Sequence, residues 1–174
     1  MTQAAKNIST KTLSKHTALL RIAFGFVWLI NAAFKWSPSF QDNFLDQATS
    51  AAQGQPDWLS PWFQFWTHIL SYNPHLFAIS IAVIESLLAL ALIFGFARRS
   101  VYLLAAVFCL LIWAIPEGFG GPYTNTSTDV GAGIIYVVVF LALYGLDRLA
   151  QTAAWSVDHY ITKRLTWWAI IANP

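Results

Sequence analysis

The sequence predicts an all-α integral membrane protein: a four-helix bundle with amphipathic interfacial helices on the outer face and at the C-terminus. Three observations carry that expectation. Of 174 residues, 57% are hydrophobic and 10% charged, against about 25% charged in an ordinary soluble domain. Four apolar runs, at about 17–36, 76–97, 100–115 and 130–146, approach the ~20 residues that a helix needs to cross a bilayer. Nine Trp fit the enrichment of aromatic side chains at membrane interfaces. The expected organisation is a cytoplasmic tail (1–16), a four-span membrane domain (17–147) and an amphipathic cytoplasmic surface helix (148–174).

Residues 1–16 are polar and carry Lys6, Lys11, Lys15 and His16. Thr17–Trp36 is the first span. It outlasts the apolar region of a signal peptide, despite Ala32-Ala33, and the chain stays hydrophobic beyond it. Arg21 and Lys35, near its two ends, are expected to snorkel to headgroups. Arg21, Gly25, Trp28, Asn31 or Ala32, and Lys35 recur at helical spacing, and this polar-bearing face is expected to turn inward.

The connection 37–75 is patterned. Ser37-Pro38 is a helix start, and Phe40, Phe44 and Ala48 follow as a thin apolar stripe. After the break Ser50–Pro56, the stretch Trp58–Tyr72 places Leu59, Trp62, Phe63, Trp66 and Leu70 on one helical face. It is short, aromatic and amphipathic, so it is expected to lie in the interface plane. Asn73-Pro74 ends it and opens the second span, which apart from Glu85 is almost entirely apolar from Leu76 to Ala97.

Arg98-Arg99 makes a tight connection to the third span, Ser100–Ile115, stopped by Pro116. The loop Pro116–Asp129 is rich in glycine, proline and hydroxyls, and it reads as a tight hairpin on the outer side. Val130–Leu146 is the fourth span, with Asp129 or Thr128 expected to cap its first turn. Gly131, Ala132 and Gly133 let a neighbouring backbone approach closely. Residues 149–172 are amphipathic, with Leu149, Val157, Ile161, Leu165 and Trp168 on one side.

Basic residues set the orientation. One side carries Lys6, Lys11, Lys15, Arg98, Arg99, Arg148, Lys163 and Arg164; the other carries Lys35 with Asp42, Asp46, Asp57, Glu117 and Asp129. Both termini are therefore expected on the cytoplasmic side of a bacterial or archaeal inner membrane. A net charge of +2 and no basic run exclude a nucleic-acid partner. The single cysteine, Cys109, allows no redox disulfide within the chain. His16, His68, His75 and His159 all fall outside the spans, so no haem pair and no metal site is expected.

Glu85 is the residue that points to chemistry. A carboxylate well inside hydrocarbon costs several kcal/mol unless it is paired, hydrated or protonated. It is either functional or a structural acid bonded to Asn31 or to backbone. Trp28, Asn31, Lys35, His68, Glu117, Tyr123 and Asp129 fall on the outer side with it. A pocket there, roofed by the aromatic helix, suits a flat apolar molecule, and a quinone is the obvious lipid-soluble one. Glu85 would relay protons, with His68 or Tyr72 as donor.

Arg21, Gly25 and Lys35 in the first span, then a glutamate in the second followed by Gly95 and Arg98 or Arg99, resemble the DoxX-like membrane proteins. The run WAIPEGFGGPYTNTSTDVGAGIIYVVVF is similar to the DoxD branch, the membrane subunit of thiosulfate:quinone oxidoreductase. The resemblance implies four spans and a quinone-linked electron-transfer role, and it makes Glu85, Glu117, Tyr123 and Asp129 the positions to test. Two functions are expected on this basis. One is a quinone-binding oxidoreductase subunit that receives electrons from a small reductant or an outer-face redox partner. The other is a non-catalytic scaffold of a respiratory or redox membrane complex. A transporter is disfavoured, because the chain has no internal repeat.

Overall fold

The apolar runs fold as long helices, and the patterned connection folds as a lobe of short ones. A computed structural model describes residues 3–123, 129–150 and 154–172, with side chains from Thr10 onward. In chain order the helices are α1 (Gln3–Lys35), α2 (Pro38–Asp42), α3 (Phe44–Ser50), α4 (Ser60–Ser71) and α5 (Pro74–Phe94), then α6 (Arg98–Ala114), α7 (Ala132–Ala150), α8 (Asp158–Arg164) and α9 (Trp168–Ala172). No strand occurs among the described residues.

Three helices are long and apolar enough to cross a membrane: Thr10–Lys35 within α1, α5 and α7. The 17 residues of α6 rise ~25 Å, somewhat less than a ~30 Å hydrocarbon core. It packs with the other three around one core. Phe24 and Trp28 of α1, Leu88 and Leu92 of α5, Tyr102 and Cys109 of α6, and Phe140 and Leu143 of α7 meet there. α5 packs chiefly on α1, and α6 chiefly on α7. Outside the core, large apolar side chains stay exposed, among them Leu87 at 61% and Leu104 at 70%. That surface suits lipid rather than water. The chain is an all-α membrane protein.

Four elements differ from the sequence reading. The connection after the second span is residues 95–97, and Arg98 and Arg99, expected to form it, open α6. The polar segment expected as a tail is helical from Gln3 and continuous with the first span, because no Gly or Pro between Gln3 and Thr17 interrupts it. The second span stops at Phe94, where Gly95 takes a left-handed φ of 67°. The expected C-terminal helix is two short ones, α8 and α9, after α7 has run on to Ala150. Trp155, at φ 48°, redirects the chain between α7 and α8.

That redirection is explained by the turn between α5 and α6. A helix leaves its last carbonyls and first amides unpaired, and at a membrane boundary they need partners. Arg21 does not snorkel. It is 1% exposed and donates to Leu92 O, to Ile93 O at 3.1 Å and to Trp155 O at 2.7 Å. Val157 N and Asp158 N donate to Phe94 O and Gly95 O at 2.9 and 3.2 Å. The Asp158 carboxylate then accepts from Ala97 N at 2.7 Å and Arg98 N at 3.0 Å, which caps α6. Gly95 is required by its φ and by space, since a Cβ there would lie 2.5 Å from Ser156 Cβ and 2.8 Å from Arg21 Nη1.

The charges are paired in turn. Arg98 bonds both Asp158, at 3.2 Å, and Asp147 of α7. Arg99 Nε reaches Asp147 at 3.0 Å. Trp168 Nε1 donates to Asp158 at 2.9 Å and holds α9 in place. Removing one member of such a buried set strands the others. Asp158→Ala is therefore expected to cost about 3–5 kcal/mol and to lower the melting temperature in detergent sharply. Asp57→Ala, in the lobe, should leave it unchanged. Equal melting temperatures for the two variants would contradict the assignment.

Candidate functional site

At the opposite end of the bundle from this network, α1, α5, α6 and α7 leave a cavity of about 230 Å³. Its lining includes Trp28, Asn31 and Lys35 of α1, Glu85 of α5, and Glu117 and Tyr136. Helical periodicity explains the α1 contribution. Trp28, Asn31 and Lys35 lie three and four residues apart on one face, and that face meets Glu85, the one carboxylate in α5.

The floor is aromatic. Trp28 is 1% exposed, with ring centroids 5.7 Å from Tyr136, 5.8 Å from Phe140 and 6.4 Å from Phe108. Two polar atoms here are buried without a hydrogen-bond partner among the described residues: Trp28 Nε1 and Glu85 Oε2. Among the described residues Glu85 Oε2 accepts no hydrogen bond, from Asn31 or from backbone. At the rim, Lys35 Nζ sits 4.3 Å above the Phe40 ring, a cation–π contact.

Glu117 has a definite structural role. Its carboxylate oxygens accept from Gly133 N at 3.1 and 2.9 Å. A negative group is thus fixed at the positive N-terminal end of α7. The cap expected from Asp129 belongs to Glu117, and Asp129 Oδ1 accepts from Gly131 N at 2.8 Å. Thr128 lies outside the described residues. Glu117 reaches this position because α6 and α7 touch backbone to backbone. A Cβ on Gly133 would stand 2.9 Å from Cys109 O and 3.0 Å from Trp113 N, the close approach expected of the small-residue run.

The cavity gathers Trp28, Asn31, Lys35, Glu85 and Glu117 from the eight residues expected at the site; His68, Tyr123 and Asp129 are not in it. His68 is on an open polar cleft with Thr49, Gln64 and Thr67 between α3 and α4, its ring 5.3 Å from that of Tyr72. Tyr123 is 64% exposed and donates to Phe119 O at 2.6 Å. The expected aromatic roof does not line the cavity; the lobe is tied to the chain on either side of Glu117. Trp62 Nε1 donates to Ala114 O at 2.9 Å, and Gln55 Nε2 donates to Gly118 O at 2.9 Å. Sequence reasoning missed Tyr136. Its signal was a polar-tipped ring inside an otherwise aliphatic stretch of the fourth span.

The DoxX family model matches residues 16–117, more than half of the chain. The chain belongs to the DoxX family. No curated protein and no solved structure matches it. The matched segment of this DoxX protein holds most of the cavity wall, from Trp28 to Glu117, and the seal residues Arg21 and Arg98. Tyr136, Gly133 and Asp158 lie beyond it.

Two substitutions separate the roles of the cavity carboxylates. Glu117→Ala removes the cap on Gly133 and is expected to cost about 1 kcal/mol. Glu85→Leu removes a buried carboxylate whose Oε2 has no partner among the described residues, so thermal stability in detergent should hold or rise. A fall in melting temperature for Glu85→Leu as large as that for Glu117→Ala would show that Glu85 is a structural acid.

Proposed function

We propose that this DoxX protein is the membrane subunit of a quinone-linked oxidoreductase and that the Glu85 cavity holds the quinone head. The observation that carries the reading is the pair of buried, unpartnered atoms in one cavity, the donor Trp28 Nε1 and the acceptor Glu85 Oε2. A buried polar group without a partner costs about 1–3 kcal/mol, and a quinone would satisfy both, one carbonyl oxygen accepting from the Trp28 N–H and the other accepting from Glu85 in its protonated form. The volume of about 230 Å³ is below the ~300–1,000 Å³ of drug-sized ligand sites, which suits a single ring rather than a whole long-tailed molecule.

A quinone, when bound, would accept two electrons and two protons. The Trp28 indole N–H would hold one oxygen, Glu85 would donate to the other and give it one proton, and the second proton would come from outer-side water at the Lys35 rim. The wall of Tyr136, Phe108 and Trp28 would exclude bulk water. Electrons would come from a small reductant or from an outer-face redox subunit. The run from Trp113 to Phe140 supports placing the protein in the DoxD branch.

Quinone extraction from purified protein, with reduction of added quinone by candidate reductants, tests the reading. Glu85→Gln should keep expression and fold and lower quinone-linked turnover at least tenfold, since an amide matches the shape and does not exchange the proton. Trp28→Phe should weaken binding, seen as a raised KM. A clean preparation with no bound quinone and no quinone reduction would favour a non-catalytic scaffold.

In the proposed orientation, the sealed end of the bundle, with Arg98 and Arg99, faces the cytoplasm of the inner membrane, and the lobe and the Glu85 cavity face outward. The excess of Lys and Arg on the sealed side supports it. A cysteine introduced at Gln47 in a Cys109→Ser background should be labelled by an impermeant reagent from the outer side. Labelling from the cytoplasmic side alone would overturn the orientation.

A further inference from the structure

α5 and α6 are joined by a very short turn, yet each packs mainly on another helix, α5 on α1 and α6 on α7. The gap between them is a groove of about 370 Å³. Its walls are apolar, with Ile84, Leu88 and Ala91 on α5 facing Leu104, Ala105 and Phe108 on α6. Its mouth opens sideways, where Ile84 is 44% and Leu104 is 70% exposed. A molecule moving in the bilayer therefore meets the groove directly.

The groove begins where the Glu85 cavity ends. On α5, Leu88 in the groove wall lies one turn from Glu85; on α6, Phe108 in the groove wall lies one turn from Ile112, which lines the cavity. Phe108 also contacts Trp28, with ring centroids 6.4 Å apart. The Trp28–Phe108 contact stands between the two spaces, and from it the groove runs toward the Arg98 end, as far as Phe96 and Val101. An apolar chain attached to a head in the cavity has this direction open to it without leaving hydrocarbon.

We propose that this groove is the tail subsite of the same ligand: it takes the branched isoprenoid chain of the quinone whose head occupies the Glu85 cavity, and the molecule enters between α5 and α6 past Phe108. The inference rests on the quinone reading above. At ~30 Å³ for each heavy atom, the volume of a water molecule, the groove holds about a dozen carbons, or two to three five-carbon units. The remainder of the tail would lie in lipid. Small side chains matter here, because Ala91 and Ala105 leave the space that larger residues would fill.

The test compares a long-tailed isoprenoid quinone with its tail-less head group, by quenching of tryptophan fluorescence in detergent-purified full-length protein. The variants are Ala91→Phe on one wall and Leu104→Phe on the other, neither of which adds a tryptophan. Each variant should weaken binding of the long-tailed quinone about tenfold relative to wild type, with binding of the tail-less head unchanged. Comparing each ligand between proteins cancels its partition into detergent, and retained head binding shows that the variant is folded. If both ligands bind and neither variant weakens the long-tailed one, or if both ligands weaken equally, the tail subsite is wrong and the groove belongs to lipid acyl chains. If the wild type binds neither ligand, the head site itself is wrong and both readings fail.

Discussion

The turn between α5 and α6 is the constraint on which the rest of the fold depends. Two helices cannot reverse direction at a membrane boundary without exposing the carbonyls of one and the amides of the other. In this protein both sets are satisfied by residues far away in sequence. Arg21 covers the end of α5, Asp158 covers the start of α6, and the backbone of residues 155–158 fills what remains. The signs match the helix dipoles, a cation at the C-terminal end of α5 and an anion at the N-terminal end of α6. Because Arg98 and Arg99 then pair with Asp147, α7 is tied to the same point. One end of the bundle is held by charge and hydrogen bonds drawn from α1, α6, α7, α8 and α9.

The other end is built differently. There the Trp28 cluster stands between α1 and the closely packed α6 and α7, and the lobe spans the end through an apolar cluster of Phe44, Ala48, Leu70 and Ala78 and hydrogen bonds such as Trp62 to Ala114 and Gln55 to Gly118. A bundle pinned by hydrogen bonds at one end and packed with bulky rings from α1, α6 and α7 toward the other leaves internal space beside the rings, and Glu85 faces that space. The same geometry accounts for the groove between α5 and α6. Each helix is drawn to a different neighbour, α5 to α1 through Gly25, where a Cβ would lie 3.0 Å from Ile93 N, and α6 to α7 through Gly133. Close backbone approach on those two seams opens the third.

Much of this was legible in the residues. Composition and run length identify a helical membrane protein, because hydrocarbon tolerates few alternatives to an apolar helix. Glu85 was legible as an inward group for the same reason: a lone carboxylate in an apolar helix is too costly to leave against lipid. Trp28, Asn31 and Lys35 follow from helical periodicity once one face is known to turn inward. Ser37 as an N-cap, Gly133 as a close-contact position and the amphipathic character of Trp58–Tyr72 are local properties that a short window contains.

What stayed hidden were pairings between distant segments. Arg21 read as a snorkelling residue because its partners are main-chain carbonyls, which every sequence possesses and none marks. Asp158 carries no local mark within its amphipathic stretch, and its burial depends on Trp155 turning the chain back over α5. Glu117 displaced Asp129 as the cap of α7 because the backbone contact of α6 and α7 at Gly133 sets which carboxylate is near. His68 and Tyr123 left the site for a similar reason, since their side of the membrane was readable and their distance from Glu85 was not. The sequence by itself determined the helices, the medium they sit in and the cost of each polar group there. Tertiary structure alone decided which group meets that cost for which other, because hydrogen bonds and ion pairs are satisfied across space, between helices whose packing no local window records.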